Sequence, residues 1–162
     1  MKKFIAIIGR RNAGKSTVIV SLTGCLNRGF QGTVTDQSNN ENIYVIASSP
    51  QEKNLSPGAF QSILTQVGQD KRCRGLVMAI QASHPRKRLS LEDIIREVQD
   101  TNSFEPYLFI LEPIYSQPPE AQPISTDVNR RLRNTGLIPQ VLDGRRFAFL
   151  NARNINQTSQ MF

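Results

Sequence analysis

The chain has 162 residues and a formal net charge of +7 at pH 7. This length favours one domain that buries roughly two thirds of its unfolded surface without disulfides. No run of about 18 apolar residues occurs, which excludes a transmembrane helix, and Cys25 and Cys73 lack the spacing of a metal site. We therefore expect a cytoplasmic protein with reduced thiols. The net charge favours either a polyanionic partner or no charged partner.

The first apolar run, Phe4 to Ile8, leads directly into the sequence GRRNAGKST. The pattern G-x-x-x-x-G-K-[S/T] between a strand and a helix is typical of a phosphate-binding loop. In such a loop the backbone N–H groups converge at the positive end of a helix dipole, where polyphosphate binds. We therefore predict that a nucleoside triphosphate, GTP or ATP, binds with Mg²⁺ to the whole loop, namely Gly9, Arg10, Arg11, Asn12, Ala13, Gly14, Lys15, Ser16 and Thr17.

Side-chain chemistry gives separate roles within this loop. Gly9 and Gly14 let the backbone approach a ligand without a Cβ atom. Lys15 is the candidate catalytic cation, expected to reach the outer phosphates and to be exposed in the empty protein. The Ser16 hydroxyl is a candidate Mg²⁺ ligand.

The residues after the loop, Lys15 to Leu26, predict a helix whose apolar face includes Val18 and Leu22. Residues 27–42 are polar and lack an apolar period, so they predict an exposed loop. The Thr35 hydroxyl in this segment is a candidate second ligand for Mg²⁺, and a solvated threonine is the alternative.

Later segments alternate between strands and helices. Apolar runs predict buried strands at 43–47, 75–80 and 107–111. Helix-start signals and helical periodicity predict helices that begin after Ser56 and at Ser90, and a further helix over 126–134. This alternation predicts an α/β three-layer sandwich, in which a mostly parallel sheet carries helices on both faces. The loop then lies at the carboxyl edge of the sheet, where such folds bind ligands.

The C-terminal part gives weaker signals. Residues 147–150 predict a last strand, with a hairpin turn at Asp143-Gly144 as the alternative. Residues 151–162 are polar and predict a flexible tail. We therefore expect one nucleotide-binding domain over residues 1–150, followed by that tail.

The loop sequence resembles G-x-x-N-x-G-K-S-T in small Ras-like and Era-like P-loop GTPases, and the order of elements to about Ile114 is similar to theirs. The resemblance implies a P-loop NTPase fold and a switch or assembly role. Two later motifs of the family are altered. Its D-x-x-G stretch, often DTAGQE, corresponds to ASSPQE at 47–52, so that Ala47 or Ser48 replaces the Mg²⁺-linked Asp. Its N-K-x-D motif corresponds to residues 111–114, which lack the guanine-reading Asp.

These departures imply that nucleotide binding persists and that hydrolysis is slow or depends on a partner protein. Gln51, in the DTAGQE register, is the candidate residue for orienting the attacking water. Loss of the guanine-reading Asp implies weak discrimination between GTP and ATP. Glu112 is expected to be a solvated loop residue, and the alternative is a carboxylate that accepts a hydrogen bond from an amino group of the base.

Two alternative functions remain open. A small P-loop kinase would use arginines as phosphate-clamping lid residues, with candidates at Arg86, Arg88, Arg130 and Arg131. A nucleic-acid or partner-docking module would use the basic clusters at 71–74, 86–88, 130–133 and 145–146. Those clusters are equally consistent with an ordinary solvated surface.

Overall fold

The computed structural model describes residues 1–82, 89–112 and 123–161. Its strands are β1 Lys2–Gly9, β2 Gln31–Asp36, β3 Glu41–Ile46, β4 Cys73–Gln81, β5 Phe104–Glu112 and β6 Gln140–Asp143. Its helices are α1 Lys15–Thr23, α2 Pro50–Lys53, α3 Pro57–Gln69, α4 Leu91–Asp100, α5 Ile124–Arg131 and α6 Ala148–Ser159, with a 3-10 turn at Arg133–Thr135.

The six strands form one sheet in the order β2-β3-β4-β1-β5-β6. Every neighbouring pair is parallel except β2 and β3, which are antiparallel. In register, Ile8 on the central strand β1 lies beside Ile80 of β4 and Ile110 of β5. The carboxyl ends of β1, β4 and β5 therefore meet at one edge of the sheet, directly before the loop 9–17.

Helices cover both faces of the sheet, which explains the continuous apolar sequence of the central strands. Phe4, Ala6 and Ile8 belong to a core shared with α3, α4 and α5. Ile5 and Ile7 point to the opposite face and pack with α1 and α6. The predicted α/β three-layer architecture is confirmed.

Helix capping follows the sequence signals. The Ser56 hydroxyl accepts a hydrogen bond from the Ala59 N–H (3.1 Å) at the start of α3. Ser90 and Asp93 form a reciprocal capping box at the start of α4, with both bonds at 3.1 Å. Helix α1 ends earlier than predicted, because Gly24 adopts φ 69° and leaves Leu26 84% exposed.

The prediction of a loop over residues 27–42 is wrong. Residues 31–36 form the edge strand β2, in which Thr35 lies opposite Asn42 of β3 and their side chains are hydrogen-bonded at 2.8 Å. An edge strand is held mainly by its backbone ladder, and only alternate side chains face the neighbouring layer. Its polar sequence therefore gave no apolar signal.

The C-terminal predictions are also wrong. The last strand is β6, which is parallel to β5, so residues 147–150 are not a strand and Asp143-Gly144 does not turn a hairpin. The expected flexible tail is α6, an ordered helix to Ser159 that contacts α1. The buried residues of α6 recur at helical spacing, but two of them are polar, so the sequence showed no apolar helix face. These residues are Asn151, Ala152, Ile155 and Ser159.

Candidate phosphate-binding site

The loop between β1 and α1 has the backbone geometry of an anion cradle. The Ala13 N–H donates to the Arg10 carbonyl (3.1 Å), and Asn12 adopts φ 63°. Gly14 precedes α1 at φ 92°, and within the part of the chain that the structure describes the helix start has no side-chain capping bond and no acidic residue in its first turn. The positive end of the α1 dipole is therefore open to a negatively charged ligand.

Two glycines are required for this geometry. A Cβ atom on Gly9 would lie 3.1 Å from the Ala13 Cβ and 3.3 Å from the Lys15 Cγ, so the loop packs closely over Gly9. A Cβ atom on Gly14 would meet nothing within 4 Å, but its φ lies in the left-handed region that favours glycine.

Lys15 lies inside the loop and is not exposed as predicted. The residue is only 5% exposed, and its Nζ donates to the Arg10 carbonyl at 2.7 Å. Burial lowers the pKa of Lys15, while the charge of Glu52 acts in the opposite direction. The sequence could not indicate this burial, because the loop folds back over its own lysine. An ammonium group has three donors, so Nζ keeps hydrogen-bonding capacity for a phosphate.

Ser16 lies against the end of β3. Its hydroxyl donates to the Ala47 carbonyl at 2.6 Å, and the Ala47 N–H in turn donates to the Phe30 carbonyl at 2.9 Å. Donation to Ala47 leaves the lone pairs of the Ser16 oxygen available to a cation. Of the two registers open for the altered D-x-x-G stretch, this contact favours the one that places Ala47 beside Ser16.

A cavity of about 440 Å³ opens above the loop. Five predicted loop residues line it, together with four from later segments: Asn12, Gly14, Lys15, Ser16 and Thr17, and then Arg28, Gly29, Ser48 and Glu52. Ser48 and Glu52 belong to the altered stretch 47–52, and Ser48 is one of the two residues that the sequence offered for the position of the family's Asp. Arg28 and Gly29 carry no motif, and only the folding of the segment between α1 and β2 brings them to the cavity.

The rest of the predicted loop lies outside this lining. Gly9, Arg10, Arg11 and Ala13 do not line the cavity. Arg10 contributes its carbonyl to the internal bonds of the loop, and Gly9 provides the close packing described above. Gly9, Arg10 and Ala13 therefore shape the site, and Arg11 is exposed.

The structure does not bring Gln51 to the cavity, so the predicted role in orienting water does not fit the geometry. Gln51 is 6% exposed. Its Nε2 donates to the Leu89 carbonyl at 2.8 Å, and its Oε1 accepts from the Gln81 N–H at 3.3 Å. Both polar ends of the side chain are therefore used to hold α2 against the end of β4.

Thr35 is likewise separate from Ser16. It lies on β2, where its hydroxyl donates to Asn42, and it lines a different cavity that also includes Thr23 and Asp36. The prediction of Thr35 as a Mg²⁺ ligand rested on an exposed loop over residues 27–42, and much of that segment is instead paired as β2 and the start of β3.

Glu112, at the carboxyl end of β5, is buried and not solvated as expected. It is 5% exposed, and its Oε1 accepts from the Ser125 N–H at 3.4 Å in the first turn of α5. The favourable helix N-terminus explains why a carboxylate lies here. Residues 113 and 114 of the altered N-K-x-D segment fall outside the described residues.

The candidate lid arginines do not line the cavity where they are described. Arg131 pairs with Glu92 (2.9 Å from Nη2 to Oε2) and also donates to the Ala82 carbonyl, and Arg130 pairs with Asp127 at 2.5 Å. The Arg131 ion pair lowers the pKa of Glu92. Arg86 and Arg88 lie outside the described residues.

No known protein-family profile matches this sequence, and no curated protein matches it. Among solved structures, the chain is similar to the crystal structure of a probable GTP-binding protein engB, with a TM-score of 0.56. The similarity covers 96% of this chain and 97% of that chain at 13% sequence identity. Such a low identity carries information about the fold alone. The chain therefore has an α/β P-loop NTPase fold, as the loop and the order of elements predicted.

Proposed function

We propose that this chain binds a nucleoside triphosphate together with Mg²⁺ at the loop 9–17 and acts as a switch or assembly module. One observation carries the proposal: an anion cradle at an uncapped helix N-terminus holds Lys15 and Ser16 at the wall of a cavity of about 440 Å³. The similarity to a probable GTP-binding protein supports it.

The charges of the cavity suit a polyphosphate. Lys15 and Arg28 contribute two cations, and the N–H groups of α1 add the positive end of its dipole. These groups act on phosphate oxygens, which GTP and ATP share. Binding is therefore expected to depend on the phosphates more than on the base.

Mg²⁺ fits the donor set around Ser16, because its hydroxyl oxygen keeps free lone pairs and the bound phosphates supply further oxygens. Within the described residues, no group of three His, Cys, Asp or Glu side chains lies together as a ready-made metal site. When bound, the ion neutralises phosphate charge. The protein's part is to orient the phosphates by Lys15 and the loop backbone.

Slow or partner-dependent hydrolysis is the expected consequence of the residues at the end of β3. Ala47 offers only a carbonyl beside Ser16, and Gln51 has both polar ends bonded elsewhere. Neither residue can position the attacking water, so a partner protein would have to supply this group.

A second candidate function is docking of a polyanion, such as nucleic acid or an acidic protein, at the opposite edge of the sheet. There a cavity of about 600 Å³ is lined by basic residues that include Lys71 and Arg74. Affinity for such a partner should fall steeply with salt. None of the helices among the described residues combines the length and apolar character needed to cross a membrane, and a cytoplasmic location stays a prediction.

The test is thermal unfolding of the wild type and of Lys15→Ala with GTP, GDP, ATP and ADP, each with and without Mg²⁺. A nucleotide at about a hundred times its dissociation constant adds roughly 2.7 kcal/mol, which raises the midpoint by about 5 to 10 °C. We expect this shift with both triphosphates in the wild type and its loss in Lys15→Ala, because the phosphates lose their central cation. No shift with any nucleotide would contradict the proposal.

A further inference from the structure

We propose that Glu52 is the acidic group of the Mg²⁺ site and takes the role that Ala47 cannot fill. This inference rests on the proposed function. Glu52 is the last residue of the altered stretch 47–52 and lies on α2, whereas Ala47 directly follows β3. A metal role of Glu52 predicts a metal dependence of binding that the loop 9–17 alone does not explain.

The position of Glu52 is the first argument. Helix α2 begins four residues after β3, and Glu52 lies in its first turn. Its side chain lines the same cavity as Lys15 and Ser16, and its charge acts on the Lys15 ammonium. Glu52 is the only carboxylate among the described residues that line this cavity.

The second argument is that Glu52 is available. Most acidic side chains in this basic protein are engaged; for example, Glu92, Asp93 and Asp127 form ion pairs with arginines. Over residues 1–82, 89–112 and 123–161, the Glu52 carboxylate forms neither an ion pair nor a hydrogen bond. An exposed, unpaired carboxylate at a phosphate cavity is a ready oxygen donor for a hard cation.

The third argument is that α2 is fixed on both sides of Glu52. Gln51 is anchored to the Leu89 carbonyl and the Gln81 N–H, on the β4 side. Lys53 donates to the Gly29 carbonyl in the segment that also lines the cavity. These anchors hold the backbone of Glu52 in place while its side chain faces the cavity.

A carboxylate in a phosphate cavity has opposite effects with and without the metal. Without Mg²⁺ it repels the triphosphate, and with Mg²⁺ it attracts the cation, directly or through a bound water. A surface glutamate with no metal role would produce only the repulsion. The ratio of the two affinities therefore separates the two interpretations.

The experiment measures binding of fluorescent mant-GTP and mant-ATP at constant ionic strength, with Mg²⁺ or with EDTA. We expect Mg²⁺ to tighten binding to the wild type and this enhancement to fall about tenfold or more in Glu52→Gln, as for other groups that support a metal site. The loss should arise from weaker binding with Mg²⁺ and from tighter or unchanged binding in EDTA. Glu52→Ala repeats the measurement without the amide.

The matched control is Asp100→Asn, which removes one exposed carboxylate at the end of α4. Because α4 leads into the amino end of β5, this residue lies at the sheet edge opposite the loop. The control should keep the wild-type Mg²⁺ enhancement. An unchanged enhancement in both Glu52 variants would overturn this inference alone. Absence of nucleotide binding by the wild type would overturn the proposed function and this inference with it.

Discussion

The loop after β1 and the segment after β3 lie side by side at the same cavity, yet their sequences relate to their structures in different ways. In the loop, a motif of nine positions gives both the backbone shape and the donor atoms, since Lys15 and Ser16 lie where the spacing places them. After β3, the position beside Ser16 is Ala47, and the carboxylate at the cavity comes from Glu52 on α2.

This difference separates two properties of a nucleotide site. In the proposed function, phosphate binding uses backbone N–H groups and one lysine, and the short stretch of chain that carries these groups is present here. Metal linkage and water positioning use side chains on separate elements, and here these elements carry other residues. The comparison therefore predicts that variants in the loop affect affinity, while most variants after β3 affect stability or metal dependence.

The largest stability effect should come from Gln51→Ala. The substitution removes the two buried hydrogen bonds that Gln51 makes with the Leu89 carbonyl and the Gln81 N–H, which should cost about 2 to 3 kcal/mol. Urea unfolding measures the loss, and Gln66→Ala on the exposed side of α3 is the control that should stay within about 0.5 kcal/mol. Nucleotide affinity at saturating Mg²⁺ should not change by more than about threefold, because Gln51 does not line the cavity. A large loss of nucleotide hydrolysis by a Gln51→Ala variant of wild-type stability would instead support the role of Gln51 in orienting the attacking water.

A smaller effect on stability, joined to an effect on binding, is expected from Gly14→Ala. Alanine at φ 92° should cost about 1 to 2 kcal/mol of strain. Gly136→Ala is a matched control, since Gly136 has φ 74° and a Cβ there also meets nothing within 4 Å. Both variants should lose similar stability in urea unfolding. Only Gly14→Ala should weaken nucleotide binding, by about tenfold or more, as its strain relaxes the cradle. Equal nucleotide affinities in the two variants would mean that the loop 9–17 is not part of the nucleotide-binding site.

The sequence predicted the elements whose signals are local. The apolar runs of β1, β4 and β5 and the caps at Ser56 and Ser90 each depend on neighbouring residues, and the structure contains them. Strand β2 and helix α6 were missed because one is held by backbone pairing and the other buries a narrow, weakly apolar face.

In the candidate site, too, some features follow from local sequence signals and others depend on contacts between distant residues. Its loop residues follow from spacing, whereas the burial of Lys15 and the inward turn of Gln51 depend on contacts with Arg10, Leu89 and Gln81. Arg28 reaches the cavity from a connection whose path no local pattern defines. Glu52 ends the altered stretch 47–52, and its place at the cavity depends on how α2 is held against the end of β4. Long-range packing, which decides these placements, is absent from a single sequence.

The most direct test of the central claim is titration calorimetry of the wild type with GTP, ATP and inorganic tripolyphosphate at saturating Mg²⁺. If the phosphates carry the binding, all three ligands should bind, and the affinities for GTP and ATP should differ by less than about 100-fold. A preference for GTP of about 10⁴-fold or more would mean that a dedicated base-reading group dominates. That result, or the absence of binding by every ligand, would contradict the account.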